Sequence, residues 1–239
     1  LEIASSNSQR LAQLINDLLD MEKLIAGKMP FDIQPLAVVA ELQQAVDNLQ
    51  PFAMQHHVDL VIEVSNTPIV LADALRLQQV LTNLLSNAIK FSPAGSDVKL
   101  IAQQQGENVQ IVVTDKGAGI ALEFQHRVFE RFAQADGSNQ RQNGGTGLGL
   151  AISREIAIRS GGEVGVTSQI GEGARFWLQL PLYNEKSAEH TDSKILVIED
   201  DKETALILSE FLRTQHFDVS WAQSIEEAKQ ALASGSFAA

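Results

Sequence analysis

Gly144-Gly145-Thr146-Gly147-Leu148-Gly149-Leu150 runs directly into a helical pattern whose apolar residues include Ile152, Ile156 and Ile158. Glycines before a helix start free several backbone N–H groups to point at an anion, and the helix dipole favours negative charge there. A flexible linker is the alternative reading, but a linker carries Ser where this run alternates leucine with glycine. Downstream, strands are predicted at 162–168 and 174–180, forming a hairpin around Gly171-Glu172-Gly173.

Upstream, 73–91 reads as a strongly amphipathic helix. Asn83, Asn87 and Lys90 follow one another at spacings of four and three, which places them on one face. Leu77, Leu81, Leu84, Leu85 and Ala88 take roughly the opposite face. An amide oxygen is a hard ligand suited to Mg²⁺, and a lysine supplies a point charge for phosphate oxygens. A solvated face of ordinary polar residues is the alternative for this helix taken alone. Strands at 97–104 and 108–114 come next, and Asp115-Lys116-Gly117-Ala118-Gly119 follows the second of them. A carboxylate at a strand end can accept the exocyclic amine of adenine, and glycines let the backbone pass close to a flat base. A plain Asp-and-Gly turn is the competing reading.

Residues 115–146 are rich in Gly, Gln and Asn and read as a long loop with a short helical insert. Loops of this length usually serve function. Phe129-Glu130-Arg131-Phe132 lies inside it. Its aromatics can pin the loop to the domain, and Arg131 can reach a terminal phosphate or stand in solvent.

The flanks add further elements. Residues 1–27 read as one helix with Leu11, Leu14, Leu18, Met21 and Ile25 in a seam, widened by Ile15, Leu19 and Leu24. Nothing precedes this helix to cover its apolar face, so a missing segment or a second copy is expected there. A short strand at 31–34, a helix at 36–55 interrupted near Pro51, and a strand at 58–64 follow. Residues 184–193 are polar and read as a linker. A second α/β pattern then begins: strand 194–198, helix 202–215, strand 217–222, helix 224–234. Two strands and two helices cannot cover both faces of a parallel sheet, so this unit is expected to be incomplete.

The chain has 239 residues, 44% of them hydrophobic, enough for one to two domains with a real core. The formal net charge of −12 argues against a general nucleic-acid partner. There is no cysteine, which excludes disulfides, thiolate metal sites and cysteine nucleophiles. No apolar run reaches about 18 residues, so no membrane contact is expected within the chain. No signal-peptide pattern is present, and Leu1 is not Met, so a start upstream is expected.

Together these motifs resemble those of sensor histidine kinases. Asn83-Leu-Leu-Ser-Asn87-Ala-Ile-Lys90-Phe91-Ser92 resembles the N box, Asp115-Lys-Gly117-Ala-Gly119 the G1 box, Phe129-Glu-Arg-Phe132 the F box, and Gly145-Thr-Gly147-Leu-Gly149-Leu the G2 box. Gly171-Glu-Gly173 stands where a third glycine box belongs. The resemblance implies an α+β fold: a two-layer α/β sandwich of the Bergerat ATP-binding type at 28–183. Residues 1–27 are similar to the second helix of the dimerisation and phosphotransfer domain. Residues 194–239 are similar to the start of a flavodoxin-like receiver, the order of a hybrid histidine kinase.

The resemblance further implies Mg²⁺ and ATP as cofactors. Asp115 would read adenine, with Gly117 and Gly119 beside it, and Asn87, helped by Asn83, would hold Mg²⁺. Lys90 and Arg131 would neutralise phosphate charge. Gly145, Thr146, Gly147, Leu148 and Gly149 would cradle phosphates under a lid at 121–146. Glu199 and Asp200 would begin a receiver Mg²⁺ pocket.

The implied reaction passes the γ-phosphoryl group of ATP to a histidine and then to a receiver aspartate. The implied partners are a second copy through the dimerisation helices and a receiver domain or response regulator. The implied location is the cytoplasmic part of a membrane-anchored sensor. His56, His57, His126, His190 and His216 have no phosphoacceptor setting, and the acceptor aspartate would lie past Ala239. Departures from the pattern are Lys116, Ala118 and Ala174-Arg175, the last where hydroxyl residues are usual. A gyrase-like, Hsp90-like or mismatch-repair-like ATPase is the alternative, but those place a glutamate where Asn83 stands. A nucleotide-independent scaffold is the third.

Overall fold

The computed structural model describes residues 2–64, 68–133, 146–183, 194–214 and 217–234. The chain divides into two compact units, Leu1–Tyr183 and Asn184–Ala239. In the first, α1 (Glu2–Ile25), β1 (Gln34–Ala37), α2 (Val38–Gln55), β2 (Asp59–Val64) and β3 (Ile69–Ala72) lead into α3 (Ala74–Phe91). Then come β4 (Asp97–Gln105), β5 (Asn108–Thr114), α4 (Leu122–Gln125), α5 (Gly149–Arg159), β6 (Glu163–Ser168) and β7 (Ala174–Pro181).

The main sheet has the order β2-β4-β5-β7-β6, with β2 parallel to β4 and every other pair antiparallel. Period-two alternation decides which face is covered. Leu100 lies opposite Val113, which lies opposite Phe176; Ala102 lies opposite Ile111, which lies opposite Leu178. All six are buried. The other face carries Lys99, Gln103, Gln110, Arg175 and Gln179 around an apolar row of Ile101, Val112 and Trp177. Helices α2, α3 and α5 pack on the sheet, with α3 touching both its neighbours. Leu77, Val80, Leu81, Leu84, Leu85, Ala88 and Ile89 of α3 are buried, so this helix is the spine of the core. Asp73 caps it: its Oδ1 accepts from Arg76 N at 3.0 Å and its Oδ2 from Asp32 N at 2.8 Å.

Two sequence expectations need correction. Pro51 sits inside α2 and does not interrupt it. The bond it removes is the one to the Asp47 carbonyl, and both residues are exposed, on the side of α2 that faces away from the core. The strand expected at 31–34 lies instead at Gln34–Ala37, and it pairs with β3, which the sequence did not reveal.

The apolar face of α1 also differs from expectation. Its last turns are covered by the chain itself: Met21 and Leu24 are 2% and 0% exposed. Gln79 Nε2 donates to Asp20 Oδ2 at 3.1 Å, and Arg159 donates to the Leu24 carbonyl. Earlier along the helix, Leu11, Ile15, Leu18 and Leu19 are exposed. Leu24→Ala is therefore expected to lower stability by about 2 kcal/mol, the low end for a buried leucine. Leu11→Ala should leave the thermal midpoint of the monomer nearly unchanged, since Leu11 is mostly exposed. Equal effects of the two in a thermal melt would contradict this packing.

The second unit contains β8 (Lys194–Ile198), α6 (Lys202–Thr214), β9 (Asp218–Ala222) and α7 (Ile225–Ser234). β8 and β9 pair in parallel, with Ile195 opposite Val219. Ala205, Val219, Ala222 and Ala228 are buried, while Ile198, Ile207 and Ile225 stay more than half exposed. The linker 184–193, with His190, and His216 lie outside the described residues.

Candidate nucleotide site

Asp115 leaves the end of β5 as a buried carboxylate, 5% exposed. Its Oδ1 accepts from Gly117 N at 2.8 Å and from Ala174 N at 3.2 Å. Among the described residues no hydrogen bond reaches Oδ2. One oxygen is therefore fixed by the backbone and the other is left for an external donor such as an amine. Burial holds the Asp115 carboxyl above the usual carboxylate range, against the lowering pull of the Gly117 and Ala174 amides.

The glycines beside Asp115 are required by close approach. A Cβ on Gly117 would lie 2.6 Å from the Phe91 carbonyl oxygen, and one on Gly119 would lie 2.1 Å from the Gln169 oxygen. Ala174 lacks the expected hydroxyl, but its backbone makes both contacts: it donates to Asp115 Oδ1 and accepts from Asp115 N at 2.9 Å. Lys116 turns away to an ion pair with Asp97, whose carboxyl it lowers.

α3 connects this loop to the start of α5. At one end, Phe91 meets Gly117. Two turns earlier, Asn83 Nδ2 donates to Gly149 O at 3.0 Å and to Ser153 Oγ at 3.3 Å. Asn83 thus joins α3 to α5 and spends its nitrogen doing so. Asn87 lies midway, one turn from each, over a span of about 12 Å. Its amide has no hydrogen-bond partner among the described residues, and it is half-buried. Lys90 is also half-buried, in the last turn of α3.

At the opening of α5, Gly147 adopts φ +72° and a Cβ there would lie 2.9 Å from Phe132 Cα. Gly149 abuts the Asn83 amide, where a Cβ would lie 3.2 Å from Oδ1. The N-cap of α5, Leu148, provides no side-chain cap, so among the described residues the first-turn amides of α5 stay available for an anion. The Leu148 side chain itself is 1% exposed and belongs to the core, so only its backbone borders the turn. Thr146 Oγ1 accepts from Leu148 N at 3.2 Å and donates to Asp17 Oδ2 of α1 at 2.7 Å. Gly144 and Gly145 lie outside the described residues, as do all of residues 134–145 of the expected lid.

In the 129–132 stretch the two aromatics behave differently. Phe129 packs edge-on against Phe176, ring centroids 6.3 Å apart. Phe132 is exposed and holds the turn through its backbone, donating to Gly147 O at 2.9 Å. Arg131 lines a cavity of about 360 Å³ with Met21, Phe129, Ala151, Arg154 and Glu155.

The family described as histidine kinase-, DNA gyrase B- and HSP90-like ATPase matches residues 72–184, which contain Asn83, Asn87, Asp115 and the glycine turn but not α1 with Asp17 and Met21. This chain carries a histidine-kinase ATP-binding domain. Over 182 residues it is 42% identical to the sensor protein GacS of Pseudomonas syringae pv. syringae, covering 74% of this chain and 20% of GacS. It is 33% identical to the autoinducer 2 sensor kinase/phosphatase LuxQ of Vibrio cholerae, covering 95% of this chain and 29% of LuxQ. The crystal structure of full-length ShkA in complex with AMPPNP superposes with a TM-score of 0.67 at 28% identity, covering 95% of this chain and 48% of ShkA. The chain thus spans between about a fifth and a half of these proteins. The α+β architecture is that of histidine-kinase catalytic domains, as the motifs implied.

In the second unit, Glu199 and Asp200 follow β8, as the sequence suggested. Asp201 beside them accepts from Thr204 N at 2.8 Å and so caps α6. Among the described residues no group of three or more His, Asp or Glu is placed to hold a metal ion. Nor is any described helix long and apolar enough to cross a membrane.

Proposed function

We propose that this chain binds Mg·ATP along α3 and is the nucleotide-binding part of a hybrid sensor histidine kinase. The supporting observation is Asp115: a buried carboxylate pinned at Oδ1, with Oδ2 left for the exocyclic amine of adenine. Gly117 and Gly119 bring backbone close to the base, and the uncapped start of α5, with Thr146, Gly147 and Gly149, meets the phosphates. Lys90 and Arg131 supply positive charge.

The residues present fit Mg²⁺. Asn87 offers a neutral oxygen with no partner among the described residues, and a nucleotide-bound Mg²⁺ takes most of its ligands from phosphates and water, so no carboxylate cage is needed. Bound there, the ion would neutralise phosphate charge. Asn83 keeps only its oxygen for such a role, because its nitrogen is used on Gly149 and Ser153.

In the whole protein, the γ-phosphoryl group would pass to a histidine nitrogen as its bond to ADP oxygen breaks, and then to a receiver aspartate. The partners would be a second copy, joined through the exposed stripe of α1, and a receiver domain or response regulator. ATP as substrate puts this region on the cytoplasmic side. Glu199 and Asp200 would contribute to a receiver Mg²⁺ pocket. Hydrolysis as the main reaction is disfavoured because Asn83 cannot act as a general base toward water.

Isothermal titration with AMP-PNP and Mg²⁺ tests the site, and Asn87→Ala should abolish the Mg²⁺-dependent part of the affinity. The chain alone is expected to bind ATP without forming phosphohistidine. Absence of nucleotide binding would leave the scaffold reading; steady hydrolysis would favour the ATPase one.

A further inference from the structure

Two side chains outside every glycine motif hold the Asp115 loop in place. Ser168 is the last residue of β6, and Gln125 the last of α4. The Ser168 hydroxyl accepts from Ile120 N at 2.8 Å and donates to Gly173 O at 2.5 Å. Gln125 Nε2 donates to Ile120 O and to Ser168 O, both at 2.8 Å. Both backbone groups of Ile120 are thus taken by side chains. These four bonds join three segments. One is the loop that starts at Asp115. The second is the β6–β7 hairpin, whose Ala174 N holds Asp115 Oδ1. The third is α4, at the root of the long segment 121–146.

Backbone bonds tie this loop to the hairpin at Asp115, through Ala174, and at Ala118, which accepts from Gly171 N at 2.8 Å. Between these points and α4 the chain passes through Gly119, at φ +75° and against the Gln169 carbonyl. A glycine in close backbone contact supplies no side chain to set the spacing. Ser168 and Gln125 set it instead.

We infer that Ser168 and Gln125 are positioning residues for the adenine nucleotide, an inference that rests on the ATP-binding reading above. Ser168 keeps the loop carrying Asp115 at its working distance from the hairpin. Gln125 couples that loop to the root of the segment leading to the G2 turn. Because they act on the base end, they affect di- and triphosphate alike.

The test is titration of the full chain with ADP and with AMP-PNP, each with Mg²⁺. Ser168→Ala should raise both Kd values by the same factor, about fivefold to tenfold. Ser168→Thr keeps the hydroxyl and suits a strand, and should restore both to within about twofold. Gln125→Met keeps the size, removes the donor, and should weaken both nucleotides in the same way. Native affinity in Ser168→Ala, or failure of Ser168→Thr to restore binding, would overturn the positioning role. If Ser168→Ala does not melt cooperatively, Gln125→Met decides the matter on the same two constants. Asp115→Ala separates the two levels. If it binds normally, the ATP site itself is wrong; if it loses binding while Ser168→Ala and Gln125→Met bind normally, only the positioning role fails.

Discussion

Asp115→Asn is expected to lose affinity for adenine nucleotides by about a hundredfold or more while its ligand-free fold stays at least as stable as the native one. The amide oxygen of Asn can still accept from Gly117 N and Ala174 N, as Asp115 Oδ1 does. That orientation turns the amide NH₂ toward the position of Oδ2, where two donors would face each other: the Asn amide and the adenine amine. A site that must pair a buried polar group rejects the wrong partner far more strongly than an apolar pocket does.

The stability half follows from burial. The folded pKa of Asp115 is raised by burial, the largest influence on it. A group raised in this way stabilises the fold below its unfolded pKa and loses that contribution as pH rises through the folded value. Denaturant melts of the native chain should therefore show stability falling as pH climbs out of the acid range. Asp115→Asn should lack that component. Native-like AMP-PNP affinity in Asp115→Asn would remove the base-reading role of this residue.

Gly173→Ala should damage the fold far more than Gly171→Ala, two residues earlier in the same hairpin. Gly173 sits at φ +83°, and a Cβ there would lie 2.0 Å from the Asp115 carbonyl oxygen. A left-handed non-glycine residue already costs about 1–2 kcal/mol. The overlap with backbone adds to this, because relief requires the hairpin to move off β5. That movement breaks the pair of bonds between Asp115 and Ala174. The expected loss is about 3 kcal/mol or more, a drop of about 6–12 °C in melting temperature for a unit of this size. Nucleotide binding should fail with it. Gly171→Ala is the matched control: Gly171 is also left-handed, at φ +85°, but nothing lies within 4 Å of its added Cβ. If the two variants melted alike, the close approach at Gly173 would carry no energy.

Much of the candidate site was legible along the chain because its parts are local patterns. Helical spacing put Asn83, Asn87 and Lys90 on one face of α3, and the leucine stripe behind them is buried as that spacing requires. The hairpin around Gly171-Glu172-Gly173 and the strand at 194–198 also follow from short-range signals. The four-residue strand β3 did not, because it is short and its partner β1 lies far back in the chain. The cover on Met21 and Leu24 was missed for the same reason: α5, which touches α1, is more than a hundred residues away.

The division between sequence and tertiary structure follows the range of the forces involved. Residue type and spacing alone determined that this chain has a glycine-rich turn opening a helix, an amide-bearing helix face and a carboxylate at a strand end, since each depends on neighbours within a few positions. Which atom of each residue is already committed was decided only by the fold. Asn83 spends its nitrogen on Gly149, Leu148 turns its side chain into the core, and Thr146 reaches Asp17. Ser168 and Gln125, unremarkable in the sequence, clasp the Asp115 loop. Hydrogen bonds act over about 3 Å, so only a folded chain that brings distant residues within that reach can assign them.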